Sequence, residues 1–379
     1  MNILHYSPGL RPGSISQLAA DLAAGLQDAG FSNTVVSPAN ELAGALTSAR
    51  VEHRKARSSV SIFSLRSVLK RLRSYILEQR ADIVFAYGPN ATRLALLAQH
   101  GIPESNRPKL VSVLTGFPQQ ILRTRSLPHC NAVVAVSRFL RQEINRFYTL
   151  PENCGVWSIP YGVHEEHCHP LYQPTADWQA HWQSAHPIAE GTLTLCVPCP
   201  LTYIHGLHHL PELITLLLRQ GISPHVYLAG DTNAGDRRYQ ERLRHQFEES
   251  GVEQYITWLG LRRDLRDVLC NCHITLSLSS APASHDRAVL EALALGRPVI
   301  GFDHGAVGEM LSTFLPEGRV KPGDIHAVAD TISQWVALRP DTVNAVPYPY
   351  RFSDTVRSFA ELCTALIPNL RSSSQNDLD

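Results

Sequence analysis

The sequence of 379 residues lacks the features that direct a chain into a membrane or onto a nucleic acid. It has no run of about 18 apolar residues, the length that a membrane-spanning helix requires. Its 34 basic and 34 acidic residues balance, so no overall field favours nucleic acid or a strongly acidic partner. No charged region followed by an apolar core opens the chain, so we expect no secretory signal. These absences predict a cytoplasmic protein that binds no nucleic acid.

Recognisable metal motifs are also scarce. The eight cysteines include one CxxC spacing, Cys196 and Cys199, without a second pair to complete a zinc site. The tract HEEHCH at residues 164–169 has several potential ligands, but it is not H-E-x-x-H, and Pro170 closes it. We therefore expect a polar linker here, with adventitious metal binding as the alternative. The cysteines are predicted to be reduced and mostly buried thiols.

Short apolar runs that alternate with amphipathic segments are present throughout, and they predict an α/β protein with two doubly wound parallel sheets. Strands are expected at residues 2–6, 34–36, 83–86, 110–114, 132–136, 155–159, 193–197, 225–229, 255–258, 274–278 and 298–301. Helices are expected at residues 16–29, 206–219, 236–250, 261–270, 286–295, 325–338 and 352–367.

This pattern repeats, so we predict two domains, residues 1–170 and 171–350. Residues 164–192 have mixed polarity and are expected to connect the domains. The C-terminal helix, 352–367, is predicted to pack back on the first domain. The polar tail, 371–379, is expected to be disordered.

The stretch Leu276–Leu311 carries the strongest functional signal. It predicts a strand, loop and helix twice over, with Gly296 as a helix cap and a second loop at residues 305–308. Loops at the carboxyl ends of parallel strands form ligand sites. Two helix N-termini there would each offer free N–H groups to an anion. The stretch therefore predicts a phosphate-bearing ligand.

Glu291 in this stretch, and two features elsewhere in the chain, allow two interpretations each. Glu291 is either a solvated helix residue or an acceptor for the hydroxyls of a ribose. His205 is either a surface residue or a contact to an anion at a helix entry. The basic residues within 50–80 form either a solvated helix face or a patch for anionic lipid or an acidic acceptor.

Three segments resemble glycosyltransferase family 4, and in particular its bacterial members that build lipopolysaccharide or other surface polysaccharides. LEALALGRPVIGFDHGAVGEML resembles the donor-binding segment of that family. VVAVSRFLRQEI with WSIPYGV, and YITWLGLRRDLRDVL with ITLSLS, resemble two further family stretches. The resemblance covers most of the chain.

The resemblance implies the GT-B fold, in which two Rossmann-like domains face each other across a cleft. The first domain would take a glycan or lipid-linked acceptor, and the second a nucleotide-sugar, with retention of anomeric configuration. No metal and no cofactor are implied. The implied donor contacts are Gly13, His205, Gly206, Ser284, Arg287, Glu291, Gly305 and Val307. Gly116 and Phe117 would lie on the acceptor side, and Thr115, His205 and Arg287 are the candidate catalytic residues.

Four positions depart from the family pattern. Thr115 stands in place of a histidine, Pro200 of an arginine, His205 of a lysine and Ala283 of a glutamate. Two hypotheses therefore remain, an active retaining glycosyltransferase and a catalytically impaired homologue that binds nucleotide or supports an active transferase. Other GT-B chemistry, such as that of an epimerase or phosphorylase, is a third reading.

Overall fold

The computed structural model describes residues 1–7, 14–38, 42–56, 64–116, 126–231, 237–338 and 348–368. The chain divides into two compact units, the first formed by residues 1–161 with the segment from Phe352 onward, the second by Gly162–Arg351. Each unit contains one parallel sheet with helical crossovers. The predicted α/β class, with two Rossmann-like doubly wound sheets, is confirmed.

The first unit has a seven-stranded sheet in the order β3-β2-β1-β4-β5-β6-β7. Its strands are β1 (Asn2–Tyr6), β2 (Ser32–Ser37), β3 (Glu52–Lys55), β4 (Ile83–Tyr87), β5 (Lys109–Leu114), β6 (Ala132–Ala135) and β7 (Gly155–Ser158). Its described helices are α1 (Ser14–Asp28), α2 (Leu42–Ser48), α3 (Leu65–Glu78), α4 (Pro89–Gln99), α5 (Arg138–Phe147) and, at the C-terminal end, Phe352–Leu366. Every residue of β4 is buried, as in a central parallel strand that is covered on both faces.

The second unit has a six-stranded sheet in the order β10-β9-β8-β11-β12-β13. Its strands are β8 (Leu193–Val197), β9 (Pro224–Ala229), β10 (Ile256–Gly260), β11 (Ile274–Ser277), β12 (Val299–Phe302) and β13 (Arg319–Val320). Its described helices are α6 (Ala176–Ala185), α7 (Leu210–Arg219), α8 (Arg237–Glu249), α9 (Leu265–Cys270), α10 (Arg287–Ala294), α11 (Gly305–Phe314) and α12 (Ile325–Leu338). We number the C-terminal helix Phe352–Leu366 as α13.

Short 3-10 turns complete the described elements at Glu104–Asn106, Leu127–His129, Tyr203–His205, Leu207–His209, Glu253–Tyr255 and Pro316–Gly318. None of the helices in the described ranges has both the length and the apolar character needed to cross a bilayer. All eight cysteines are free, and seven of them are buried, as predicted.

Several predicted boundaries need correction. The helix expected from residue 261 begins at Leu265, after Gly260 has taken a left-handed conformation with φ +67°. The expected connection 164–192 contains α6, whose first turn is capped by the Thr175 hydroxyl, which accepts from Trp178 N–H. The sequence also missed β3 and β13. Both are sheet edges, where short strands with charged side chains are tolerated.

The loop predicted at residues 305–308 is wrong, because these residues form the first turn of α11. Gly296 does take the left-handed conformation expected of a helix cap, with φ +68°. The predicted tail 371–379 lies outside the described residues.

Candidate functional site

The switch in strand order of the second sheet lies between β8 and β11. These strands are neighbours, with Leu195 opposite Ile274, but β8 leads to β9 on one side and β11 leads to β12 on the other. The loops that follow the two strands therefore diverge and open a crevice at the carboxyl edge of the sheet. In open parallel sheets this crevice is where ligands bind.

The loop after β8 is held against the end of β11 at the candidate donor contact Gly206. Gly206 has φ +74°, and a Cβ at this position would lie 1.7 Å from the carbonyl oxygen of Leu278. The carbonyl oxygen of Ile204 accepts two hydrogen bonds, from Ser280 N–H at 2.7 Å and from the Ser279 hydroxyl at 2.9 Å. Only glycine fits this approach, so the backbone fixes the position of His205 beside the crevice.

His205 is half-buried, and its Nδ1 lies 2.6 Å from the Thr202 hydroxyl. Burial lowers the pKa of His205 below its usual value. Burial therefore favours the neutral ring. With the hydroxyl as donor to Nδ1, the proton resides on Nε2, which can donate one hydrogen bond to an anion. His205 thus offers a neutral donor where the family resemblance implies a lysine cation.

The N-terminus of α10 is already occupied by its own chain. Asp286 caps the helix, its Oδ1 accepting from Val289 N–H at 3.1 Å and its Oδ2 from the Ser277 hydroxyl at 3.1 Å. Burial raises the pKa of the Asp286 carboxyl, although these hydrogen bonds act in the opposite direction. The Asp286 side chain therefore takes the Val289 N–H that the sequence-based prediction left to a ligand. Asp286 is a site residue that the sequence reasoning missed, although its position three residues before Val289 is a helix-cap signature.

The N-terminus of α11 does offer free donors. Gly305 has φ +61°, and a Cβ there would lie 2.6 Å from the carbonyl oxygen of Ala283. Ala306 N–H donates to that same oxygen at 2.7 Å, which ties the helix start to the loop after β11. The N–H groups of Gly305 and Val307 have no hydrogen-bond partner within the described ranges of the chain. Unpartnered N–H groups at the positive end of a helix dipole are the kind of donors that an anion binds.

A histidine fixes the same helix start from the other side. His304 precedes α11, and its Nε2 lies 2.8 Å from the carbonyl oxygen of Ser279. The loop after β12 is thereby joined to the loop after β11. Three loops that follow β8, β11 and β12 are thus connected by hydrogen bonds at one edge of the sheet. These hydrogen bonds fix the backbone of the three loops relative to one another.

Glu291 and Arg287 form an ion pair one turn apart on α10. Arg287 Nε donates to Glu291 Oε1 at 2.7 Å, and the glutamate side chain is 13% exposed. The pair orients the carboxylate, whose second oxygen can accept from a ligand hydroxyl. Burial raises the pKa of Cys168 to about 12. The charge of Glu291 raises this pKa further, and the charge of Arg287 lowers it.

The remaining predicted residues divide between the two units. Ser284 is buried in the loop after β11, and Val307 is buried, so only the backbone of Val307 can serve a ligand. Thr115 and Gly116 follow β5 in the first unit. Gly13 and Phe117 lie outside the described residues.

The histidine-rich tract 164–169 makes hydrogen bonds to other segments of the second unit. The carbonyl oxygen of His167 accepts from Arg266 Nη1 at 3.1 Å, and that of Cys168 accepts from the Tyr348 hydroxyl. Among the described residues, no three His, Cys, Asp or Glu side chains converge on a position for a metal ion. The tract therefore contacts α9, through Arg266, and the segment that contains Tyr348.

Comparison with known proteins adds two domain matches. Residues 15–167 match the family described as Glycosyltransferase Family 4, and residues 195–337 match the family described as Glycosyl transferases group 1. A search of curated proteins found no match.

Solved structures share the fold. A glycosyltransferase from Rickettsia africae is 18% identical with a TM-score of 0.81, covering 97% of this chain and 99% of its own. Anabaena HepE in complex with UDP and glucose is 19% identical with a TM-score of 0.80, covering 96% and 100%. The lipopolysaccharide outer core galactosyltransferase WaaB is 14% identical with a TM-score of 0.70, covering 96% and 99%.

Two Rossmann-like parallel-sheet domains in one chain, as in these solved structures, define the GT-B class of glycosyltransferases. The two family matches then place the chain within that class. It is a glycosyltransferase of the family 4 and group 1 type.

Proposed function

We propose that the chain transfers a sugar from a nucleotide-sugar donor to a glycan or lipid-linked acceptor in cell-surface polysaccharide biosynthesis. Two observations carry this proposal, the unpartnered N–H groups of Gly305 and Val307 at the start of α11 and the Arg287–Glu291 pair on α10. The N–H groups suit a diphosphate, and the carboxylate suits the hydroxyls of a ribose. The second unit would hold the donor and the first unit the acceptor.

The names of the similar structures support this choice of substrates. HepE was solved with UDP and glucose and with UDP-glucose, and WaaB is a lipopolysaccharide galactosyltransferase. We therefore propose a nucleoside diphosphate sugar as donor and a surface glycan as product.

In the proposed reaction, the bond between the sugar C1 and the diphosphate oxygen breaks, and the acceptor hydroxyl oxygen bonds to C1. The hydroxyl proton is released, and the diphosphate leaves with the bonding electron pair. Backbone donors at α11 would stabilise the charge that develops on that leaving group. His205 would add a hydrogen bond from Nε2. We propose retention of configuration and no metal cofactor.

The test is a panel of nucleoside diphosphates and nucleotide-sugars, measured by thermal shift and by sugar transfer. Glu291→Ala should weaken the binding of the preferred nucleotide tenfold or more, because a charge-assisted hydrogen bond contributes about 1.5–3 kcal/mol. Glu317→Ala, which removes an exposed carboxylate of the same unit, should leave binding unchanged. Absence of both turnover and nucleotide binding would refute the proposal.

A second candidate function is that of a catalytically impaired homologue which binds nucleotide or supports an active transferase. One observation favours it, since burial lowers the pKa of His205 at the position where the resemblance implies a lysine cation. His205→Lys should raise the affinity for nucleoside diphosphate about tenfold or more, because the lysine adds a charge-assisted hydrogen bond to the diphosphate. Tight nucleotide binding by the wild type without any turnover, on a panel of acceptors, would select this second function.

We also propose a peripheral contact with the inner face of the cell membrane for a cytoplasmic protein. Helix α3 exposes Arg66, Lys70 and Arg71, while Leu72 and Ile76 face the core. Such a face attracts anionic lipid, with about 1 kcal/mol for each basic residue near the surface. Flotation with anionic vesicles tests it, and equal recovery of wild type and Arg66→Gln/Lys70→Gln/Arg71→Gln would contradict it.

A further inference from the structure

A second concave surface lies at the amino-terminal edge of the seven-stranded sheet. It is a groove of about 670 Å³ between the end of α3, the starts of β4 and β5, and the end of α13. Lys109 N–H donates to the carbonyl oxygen of Asp82 at 2.8 Å, which places the two strand starts side by side. We call this surface the amino-edge groove. It lies at the sheet edge opposite to the carboxyl ends of these strands.

The charge of the amino-edge groove is positive. Arg80, Arg107 and Lys109 line it, and Asp82 is its single lining acid. The Asp82 carboxylate already accepts the backbone N–H of Asn2 at 2.7 Å. Within the part of the chain that the structure describes, none of the three cations has an ion-pair partner. An excess of unpaired cations in one concavity attracts an anion.

The backbone of Arg80 adds an independent observation. Arg80 follows the last turn of α3 with φ +45°, a left-handed conformation that side-chain-bearing residues rarely adopt. At the ends of α8 and α10 the same conformation is taken by Gly251 and Gly296. An arginine here accepts backbone strain that glycine avoids, and its side chain lines the groove.

The other wall of the groove is apolar. Leu77 is 47% exposed, and Leu366 and Ile367 stand with it among the lining residues. Arg107 is held in place because its Nε donates to the carbonyl oxygen of Ile102 at 2.8 Å. A guanidinium fixed in this way presents its remaining donors in the planar fork that matches phosphate oxygens.

From these features we propose that the amino-edge groove binds a phosphate group through Arg80, Arg107 and Lys109. The phosphate comes either from a soluble phosphate compound or from a lipid headgroup whose apolar part contacts Leu77 and Ile367. The site is separate from the donor crevice, which lies in the second unit.

Hydrogen exchange of the full-length protein tests the proposal with two probes, inorganic phosphate and soluble dihexanoyl phosphatidic acid. At least one probe should slow amide exchange in residues 76–82 and 104–110. The double variant Arg80→Gly/Lys109→Gln should bind the protecting probe with at least tenfold lower affinity. If the lipid probe binds more tightly than inorganic phosphate, and Leu77→Ser weakens that binding, the ligand is a lipid headgroup. If both probes bind equally, the ligand is a soluble phosphate compound.

The matched control is Arg50→Gly. Arg50 follows the end of α2 with φ +57°, so this change relieves the same kind of strain as Arg80→Gly and also removes one arginine charge, but away from the groove lining. Probe binding should be unchanged in Arg50→Gly. No protection of residues 76–82 and 104–110 by either probe would overturn the proposal, and so would equal loss of binding in Arg50→Gly and the groove variant.

Discussion

His5 is a fully buried titratable residue at the centre of the first unit. Its Nε2 lies 2.9 Å from Asn33 Oδ1, and its Nδ1 lies 2.8 Å from the Tyr87 hydroxyl. An amide oxygen only accepts, so the proton resides on Nε2, and Tyr87 donates to Nδ1. The neutral ring thus satisfies both partners, and burial lowers the pKa of His5 to about 4.

Acidification should therefore destabilise the first unit. The unfolded chain takes up a proton near pH 6.5, whereas the folded chain takes it up only near pH 4. The stabilisation is fully present above the higher value and is lost as the pH falls towards the lower one. The total loss is about 3 kcal/mol. Urea unfolding at a series of pH values measures it.

The control for this prediction is His5→Gln, which removes the titrating ring. Its free energy of unfolding should be lower at neutral pH but should depend less on pH than that of the wild type. An unchanged pH dependence in the variant would show that other groups cause the acid sensitivity. Sequence patterns predicted the strand that contains His5, but not this role, because its partners lie 28 and 82 positions away.

Among the elements, α10 depends on its N-terminal cap. The Asp286 side chain accepts from Val289 N–H and also from the Ser277 hydroxyl, so it joins the helix to the end of β11. Arg287 and Glu291 follow directly on this helix. The cap therefore positions the ion pair that we propose as part of the donor site.

Asp286→Ala should destabilise α10 by about 1 kcal/mol, the usual loss for an N-cap side chain. Asp286→Asn should destabilise α10 less than Asp286→Ala does, because asparagine is an equally good cap and carries no charge to bury. Native-state hydrogen exchange of the α10 amides measures both variants. Equal losses in the two variants would mean that the carboxylate charge, and not the cap, stabilises the helix.

The element after β12 shows where local pattern fails. Two glycines three positions apart predicted a loop at 305–308, since glycine is unfavourable inside helices. Instead Gly305 is needed for a close approach to Ala283, and a Cβ on Gly308 would lie 2.8 Å from Asp303 Oδ1. These glycines allow α11 to start against the neighbouring loops. The requirement comes from tertiary contacts, which no local pattern contains.

On the scale of the whole molecule, the first unit is discontinuous in sequence. Helix α13 belongs to it, although the entire second unit, Gly162–Arg351, lies between them in the chain. Phe359 of α13 is buried, and its ring packs edge-on against Phe85 of β4 at 5.4 Å. The C-terminal helix thus completes the core around β4.

Phe359→Ala should destabilise the first unit by about 3–5 kcal/mol, the usual loss for truncation of a buried phenylalanine. Hydrogen exchange should rise in β1 and β4 and stay unchanged in β8 and β11. Phe147→Ala removes a side chain that is 64% exposed, and it should have little effect. A loss of protection shared equally by both sheets would mean that the units unfold together.

The sequence by itself determined the α/β class, the central strands and the family. Apolar runs, glycine caps and the segment around Glu291 are local signals, and each depends on residues close together in the chain. The tertiary structure alone decided that Asp286 occupies one helix N-terminus while Gly305 and Val307 keep theirs free. It also decided that the pKa of His205 is lowered by burial. Burial and hydrogen-bond partners set these properties, and both come from segments that only folding brings together.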